Sequence, residues 1–230
     1  MITLTHVPRG THLWRWAAGF VTAYHYLHTM PDPRSTPETF IVRLRSDPDS
    51  LAGVLVFSRP EATRCADWYG SVDDVDAGRC DSTRWQVLNL ARVWIAPSYQ
   101  TGGQLCTADY VPGYTDRRGR FRSTLASTIL RTAIGQIGYE YLRLRPPCFL
   151  EEPYRIRWLL SYCDTRLHRG VIYAASGFDL YKTNPKGIQT WRIRLPDLTA
   201  QQDANIRSIA ATHPRSVAYR GKRAQMALGI

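Results

Sequence analysis

The 230-residue chain is predicted to be one α+β domain, a mixed central β-sheet flanked by helices. Three observations predict it. Apolar residues recur at helical spacing near the N-terminus. Two β-type runs flank a strong turn sequence soon after. From about Val87 onward, strand-type and helix-type segments alternate, with no internal repeat and no low-complexity tract. The expected domain is 1–230, ending in a basic tail from about residue 212.

The elements follow in order. Leu13, Trp16, Ala17, Phe20, Val21 and Tyr24 share one helical face, so a first helix is expected from about Leu13 to Leu27. Thr39–Leu44 and Ala52–Phe57 are strand-like. Arg45-Ser46-Asp47-Pro48-Asp49-Ser50 between them is rich in turn formers, which predicts an antiparallel hairpin. A polar segment runs from Ser58 to about Arg84. VLNLARVWIA, Val87–Ala96, is a long strand stopped by Pro97. A loop rich in Gly, Tyr and Arg spans Ser98–Arg120, and a second helix is expected from about Arg122 to Tyr139. Leu142–Arg157, with Pro146-Pro147 and Pro153, reads as a loop. Next come a strand (Trp158–Cys163), a short helix (about Gly170–Ser176), strands at Phe178–Lys182 and Ile188–Leu195, and a last helix from Thr199 to about Ala211, capped by Thr199.

Composition narrows the function classes. Hydrophobic residues are 44% of the chain, yet no apolar run is long enough to span a bilayer, so no membrane partner is expected. Arg9, His12 and Arg15 interrupt the N-terminal apolar residues and no cleavage pattern follows, so a signal peptide is not expected. Five widely spaced cysteines, with no CxxC, fit a reducing cytoplasm better than a disulfide scaffold or zinc ribbon. The formal net charge is +11, carried mostly by arginine, whose planar fork matches phosphate. A polyanion is therefore the expected partner. The competing reading is a basic surface that only solvates the fold.

Four groupings carry candidate chemistry. The first is Gln100-Thr101-Gly102-Gly103, a glycine loop ahead of a helix start, where free N–H groups can hold an anion. With Val93-Trp94-Ile95-Ala96-Pro97 before it, the order resembles the acyl-CoA-binding segment of the GNAT acyltransferases. Gln100, Gly102 and Gly103 are then donor-binding candidates; a surface loop is the alternative. The second grouping is SYCDTRLHRGVIYAASGF, Ser161–Phe178. Strand alternation separates Ser161 and Cys163 from Tyr162 and Asp164. Asp164 and His168 are candidates to accept a proton or orient an amine, and Tyr173 to donate a hydrogen bond to a leaving group. A turn aspartate and a loop histidine are the structural alternative. The third is His25 and His28, whose i, i+3 spacing would set two imidazoles on one helix face, an arrangement that metal ligation uses; a helix-end pair of surface histidines is the favoured alternative. The fourth is the basic and aromatic set Arg166, Arg169, Arg220, Lys222, Arg223 and Tyr154, suited to phosphate neutralisation with stacking.

Taken together, His25-Tyr26, LNLARVW (Leu88–Trp94), a Ser-rich helix start and above all Ser161–Phe178 resemble the Mom family of phage DNA-modification enzymes. The resemblance runs from about His25 to near Trp191. It implies a GNAT-type fold and conversion of adenine N6 in double-stranded DNA to a carbamoylmethyl derivative, which protects phage DNA from restriction in the bacterial cytoplasm. Carried over by motif, it implies functional positions at Arg92, Asp164, His25, Tyr26 and a helix-start serine, with Ser123 preferred and Ser127 the alternative. The donor stays open between an acyl-CoA and a glycyl-tRNA; a glycyl group supplies the second nitrogen of the product, and a tRNA carrier suits the positive charge. Two other classes compete: an ordinary GNAT N-acyltransferase using acyl-CoA on a protein or small amine, and a non-catalytic DNA-binding protein.

Overall fold

The computed structural model describes residues 2–25, 27–45, 48–60, 68–70, 72–96, 114–115, 121–122, 125–147 and 155–214. The chain divides into two compact units. The first comprises Met1–Glu61, Leu88–Ile134 and Leu159–Arg194, and the second Ala62–Val87, Gly135–Trp158 and Leu195–Ile230.

The first unit is built on a seven-stranded sheet. Its strands are β1 (Ile2–Val7), β2 (Glu38–Leu44), β3 (Gly53–Ser58), β6 (Val87–Ile95), β9 (Trp158–Asp164), β10 (Asp179–Thr183) and β11 (Ile188–Arg194), in the spatial order β1-β2-β3-β6-β9-β11-β10. The labels β4, β5, β7 and β8 belong to four two-residue strands, Tyr69–Gly70, Ser82–Thr83, Tyr114–Thr115 and Phe121–Arg122. The predicted hairpin is present: β2 and β3 pair antiparallel from Glu38↔Phe57 to Val42↔Gly53. Both strands are buried almost throughout, as expected where apolar residues occupy both faces.

Helix α1 (His12–Tyr24) covers part of this sheet. Ala17 and Val21 pack with Val7, Ile41, Val54, Val56 and Trp94 in one core cluster. Thr11 caps it, its hydroxyl accepting from the Trp14 N–H at 3.1 Å. The helix ends three residues earlier than the apolar spacing predicts, because His25 turns to an extended conformation after donating its N–H to Val21 O.

Strand β1 has no counterpart in the sequence reading. It is an edge strand of alternating polar and apolar residues, paired with β2 from Ile2↔Leu44 to Val7↔Thr39. Its His6 Nε2 lies 2.8 Å from Glu38 Oε2. That partner is distant in sequence, so short-range pattern gives no sign of it.

Helix α3 (Leu125–Leu144) begins three residues later than expected and ends five later. Tyr141 and Leu142 are fully buried, so packing carries the helix into the stretch that composition marks as loop. In the second unit, Tyr139 Oη and Asn205 Nδ2 are hydrogen-bonded, and Asp203 receives both Arg155 and Arg207. Helix α5 (Ala200–Thr212) has the predicted Thr199 cap, completed by Gln202 as a capping box. The polar segment before Val87 contains regular structure: α2 (Val72–Asp76) lies in sequence between the parallel strands β4 and β5, and Trp68 and Tyr69 are buried.

Candidate functional site

The site is assembled in the first unit from three pieces of chain: the turn after α1, the middle of β6, and the end of β9 with the loop that follows.

Strand β6 carries an irregularity at its centre. Val56 pairs with Arg92 but Phe57 pairs with Leu90, which leaves Ala91 as an extra residue. A bulge of this kind re-aims side chains and leaves backbone groups off the ladder. Two side chains meet the carbonyls there. The buried Ser161 hydroxyl, from neighbouring β9, donates to Leu90 O at 3.1 Å, and Arg92 Nη1 donates to Ala91 O at 2.7 Å. The rest of the Arg92 guanidinium reaches the turn after α1, with Nε donating to Thr29 O at 2.7 Å and Nη2 to Thr29 Oγ1 at 3.3 Å. Arg92 thus straps residues 25–29 to the sheet. The resemblance implies a functional position at Arg92; its bonds to Thr29 and Ala91 give it a positioning role.

That turn is fixed at nearly every step. His25 Nδ1 accepts from the Leu27 N–H at 3.2 Å, so the neutral ring carries its proton on Nε2. His28 N–H donates to His25 O at 2.8 Å, and His28 Nδ1 lies 3.0 Å from Thr22 O. A carbonyl can only accept, so Nδ1 of His28 holds the proton and Nε2 the lone pair. The two rings have opposite tautomers. His25 is buried and its pKa is lowered to about 4, first by burial and then by the charges of Arg92, His168 and His28. Near neutral pH it is an uncharged donor.

The metal expectation requires correction. The helix ends at Tyr24, so His25 and His28 do not share a helix face, and His28 adopts a left-handed φ of 47°. Among the described residues no group of three His, Cys, Asp or Glu side chains is placed to hold a metal ion.

At the end of β9, Asp164 is held in an arginine fork. Arg166 Nε lies 2.9 Å from Oδ1 and Arg166 Nη2 2.6 Å from Oδ2, and the Arg166 N–H adds a third bond to Oδ1 at 3.0 Å. These bonds lower the Asp164 pKa to about 2, with a smaller contribution from His168. Of the two roles expected for Asp164, accepting a proton or orienting an amine, the lowered pKa favours the second: near neutral pH it is an ionised hydrogen-bond acceptor. Arg166, expected to meet phosphate, is its partner here. His168 is exposed, and its charge is a lesser cause of the lowered pKa of both His25 and Asp164. Its backbone is held by Asp164 O at 2.9 Å and by the thiol of buried Cys163, which donates to His168 O at 3.3 Å. Burial is the main cause of a raised Cys163 pKa, so this thiol stays protonated as a donor.

The loop then enters α4 (Val171–Ala175) through Gly170, whose φ is 66°. A Cβ there would lie 2.6 Å from the Trp191 ring. Tyr173, on α4, sits against Phe178 and Trp191 at ring separations of 5.5 and 6.0 Å, so its ring belongs to an aromatic cluster. Arg169 is exposed. Ser127 is buried on α3 and its carbonyl accepts from Ser176 Oγ at 3.4 Å, which places it in packing rather than on a donor-facing surface. Tyr26, Gln100, Gly102, Gly103, Ser123, Tyr154, Arg220, Lys222 and Arg223 lie outside the described residues.

The sequence reading missed the bulge at Ala91, the Thr29 anchor and the His28 tautomer. The i, i+3 histidines signalled the last, but for a different chemistry. Among the described residues no helix is long and apolar enough to cross a membrane.

No family model matches the chain, and no curated protein matches it. Solved structures do. The N-acetyltransferase PseH of Campylobacter jejuni, in complex with acetyl coenzyme A, is similar at 10% identity over 84% of this chain and 99% of its own, with a TM-score of 0.39. Tetrahymena GCN5 is similar at 10% identity over 86% and 98%, with a TM-score of 0.42. A GNAT-family acetyltransferase of Staphylococcus aureus is similar at 8% identity over 85% and 100%, with a TM-score of 0.39.

Proposed function

We propose that this chain is a GNAT-like transferase that acylates an amine, and that the amine is N6 of adenine in DNA. The observation that carries the reading is the Arg92 strap, which ties the turn bearing His25 to β6, the strand next to the one that ends in Asp164. These residues come from three separate segments, which are among those the sequence resemblance names. The net charge of +11 supports a polyanionic substrate.

The chemical problem matches what these groups offer. N6 is conjugated with the ring and weakly nucleophilic, and in a duplex it is stacked, so the base must leave the helix. Ionised Asp164 can accept a hydrogen bond from the amine and orient it. The Nε2–H of neutral His25 can donate to the acyl oxygen as negative charge grows there. A neutral imidazole makes that donation without placing a buried positive charge in the site. Arg92 acts at one remove by fixing the turn that carries His25.

The carbamoylmethyl product follows if the transferred group is glycyl. N6–CO–CH2–NH2 is a constitutional isomer of N6–CH2–CO–NH2. The new amine can attack C6 through a five-membered ring, and cleavage of the original C6–N6 bond leaves that nitrogen as the terminal amide.

Expression of the chain in bacteria, digestion of genomic DNA to nucleosides and mass measurement test the reading. A new adenine species is expected, and Asp164→Ala should diminish it. A heavy nitrogen at N6 should end in the side-chain amide; its retention on the ring carbon refutes the rearrangement. Acylation of an amine with acetyl-CoA in the absence of DNA would favour an ordinary N-acyltransferase.

A further inference from the structure

The turn after α1 holds a second imidazole for which the roles above have no use. His28 is exposed and adopts a left-handed backbone, φ 47°, a region in which histidine is enriched along with asparagine and aspartate. The turn around it is closely bonded. His28 N–H is bound to His25 O, and Nδ1 to Thr22 O at 3.0 Å. The next residue, Thr29, is strapped by Arg92 at 2.7 Å. The ring is locked with Nε2 as the nitrogen that carries the lone pair. In His25, by contrast, the Nδ1 lone pair is occupied by the Leu27 N–H. One imidazole of the pair can donate and the other can accept.

From this arrangement we infer that His28 is a further catalytic residue, the base that takes the proton from the attacking amine. The assignment rests on the acyl-transfer reading. As the amine nitrogen bonds to the acyl carbon, its N–H proton passes to Nε2 of His28. The bond from the acyl carbon to the donor's sulfur or oxygen then breaks with its electron pair, and the leaving atom takes up a proton, which returns His28 to neutrality through solvent. The net change is R–NH2 plus R′CO–X giving R–NH–COR′ plus HX. Asp164 suits this role less well, because the Arg166 fork occupies both carboxylate oxygens and lowers their basicity.

The test uses lysates of bacteria expressing the full chain, added plasmid DNA, and mass measurement of the nucleosides over time. His28→Asn tolerates the left-handed backbone, and its amide N–H can still donate to Thr22 O, but it has no basic nitrogen. His28→Gly also tolerates that backbone and leaves a hole the size of the ring. Wild type should modify adenine. H28N should be slower by about 100-fold or more, the scale of a lost general base. H28G should be equally slow and regain rate when free imidazole is added, with both variants melting close to wild type. An H28N variant as fast as wild type, or an H28G variant deaf to imidazole, overturns the assignment while leaving the transfer reading intact. A wild-type chain that yields no modified base overturns both.

Discussion

Two arginines hold two loops at this site, and they do so differently. Arg92 reaches across from β6 to a carbonyl 63 positions earlier, Thr29 O, and also bonds its own neighbour's carbonyl. Arg166 bonds the carboxylate two residues before it and is 74% exposed. The first contact crosslinks distant chain, exposed at Thr29 and part-buried at Ala91 O. The second is local, its bonds part-buried at a buried carboxylate although the arginine itself is mostly exposed. Removal of the Arg92 guanidinium frees a turn, whereas removal of the Arg166 guanidinium shifts the titration of one side chain. Fold and chemistry are coupled at Arg92 and separable at Arg166.

The largest effect should come from breaking the distant clamp. Arg92→Met removes bonds from a charged donor to Thr29 O and Ala91 O. Bonds of that kind contribute about 1.5–3 kcal/mol each, with part recovered by water, so a loss of about 2–3 kcal/mol is expected in urea unfolding. Adenine modification should fall by more than that stability loss explains, because the turn bearing His25 and His28 is no longer held. Arg92→Lys should restore little, since a single ammonium cannot fork between two carbonyls. A stable Arg92→Met variant with full activity would show that the clamp is dispensable.

Next is the far end of the second loop. Gly170→Ala places a methyl 2.6 Å from the Trp191 ring on a backbone with φ 66°. Strain and displacement together should cost about 1–3 kcal/mol. Near-ultraviolet circular dichroism should report the shift of the Tyr173–Trp191 pair. Unchanged melting and an unchanged aromatic signal would mean that the loop rearranges freely there.

These two positions also mark what the sequence reveals. The hairpin, the long strand, the short helix and the Thr199 cap are legible because local pattern and turn chemistry dictate them. Gly170 is legible as an oddity but not for its reason, since Trp191 lies in a strand two elements later. Arg92 is legible through the resemblance alone, and its role is not, because neither the bulge at Ala91 nor the Thr29 carbonyl leaves a mark in composition. The tautomers of His25 and His28 depend on the backbone atoms their rings meet, so the paired spacing points as readily to a metal. Asp164 beside Arg166 is the opposite case. Both members sit in one short motif, and the fork between them is a local consequence.

The two loops should also separate on a pH axis. Burial and nearby positive charge lower the His25 pKa from 6.5 to about 4. The unfolded chain therefore binds a proton at a pH where the folded chain does not, and stability falls as pH drops from about 6.5 toward 4. Asp164 is lowered from 3.8 to about 2, so its contribution is intact above 3.8 and is lost only below that value, toward 2. Melting temperature measured from pH 7 to 4 should decline, and His25→Gln should flatten the decline. If the decline survives in His25→Gln, the acid sensitivity belongs elsewhere.

The smallest effect on folding should come from Arg166→Gln. The arginine is mostly exposed, and its pairing with Asp164 is screened by water and salt. Melting at neutral pH should stay near wild type. The carboxylate should respond strongly, because the side-chain bonds from Arg166 are the largest cause of its low pKa. In the variant, the carboxyl-carbon NMR signal of Asp164 should titrate well above 2, moving toward 3.8. Activity at neutral pH should change little if Asp164 serves only as an ionised acceptor, because the group remains charged there in either case. A large loss of activity with an unchanged melting point would instead give Arg166 a direct contact with substrate, in line with the phosphate-binding role expected from its sequence. The local clamp would then be a catalytic contact, while the distant one remains a positioning device.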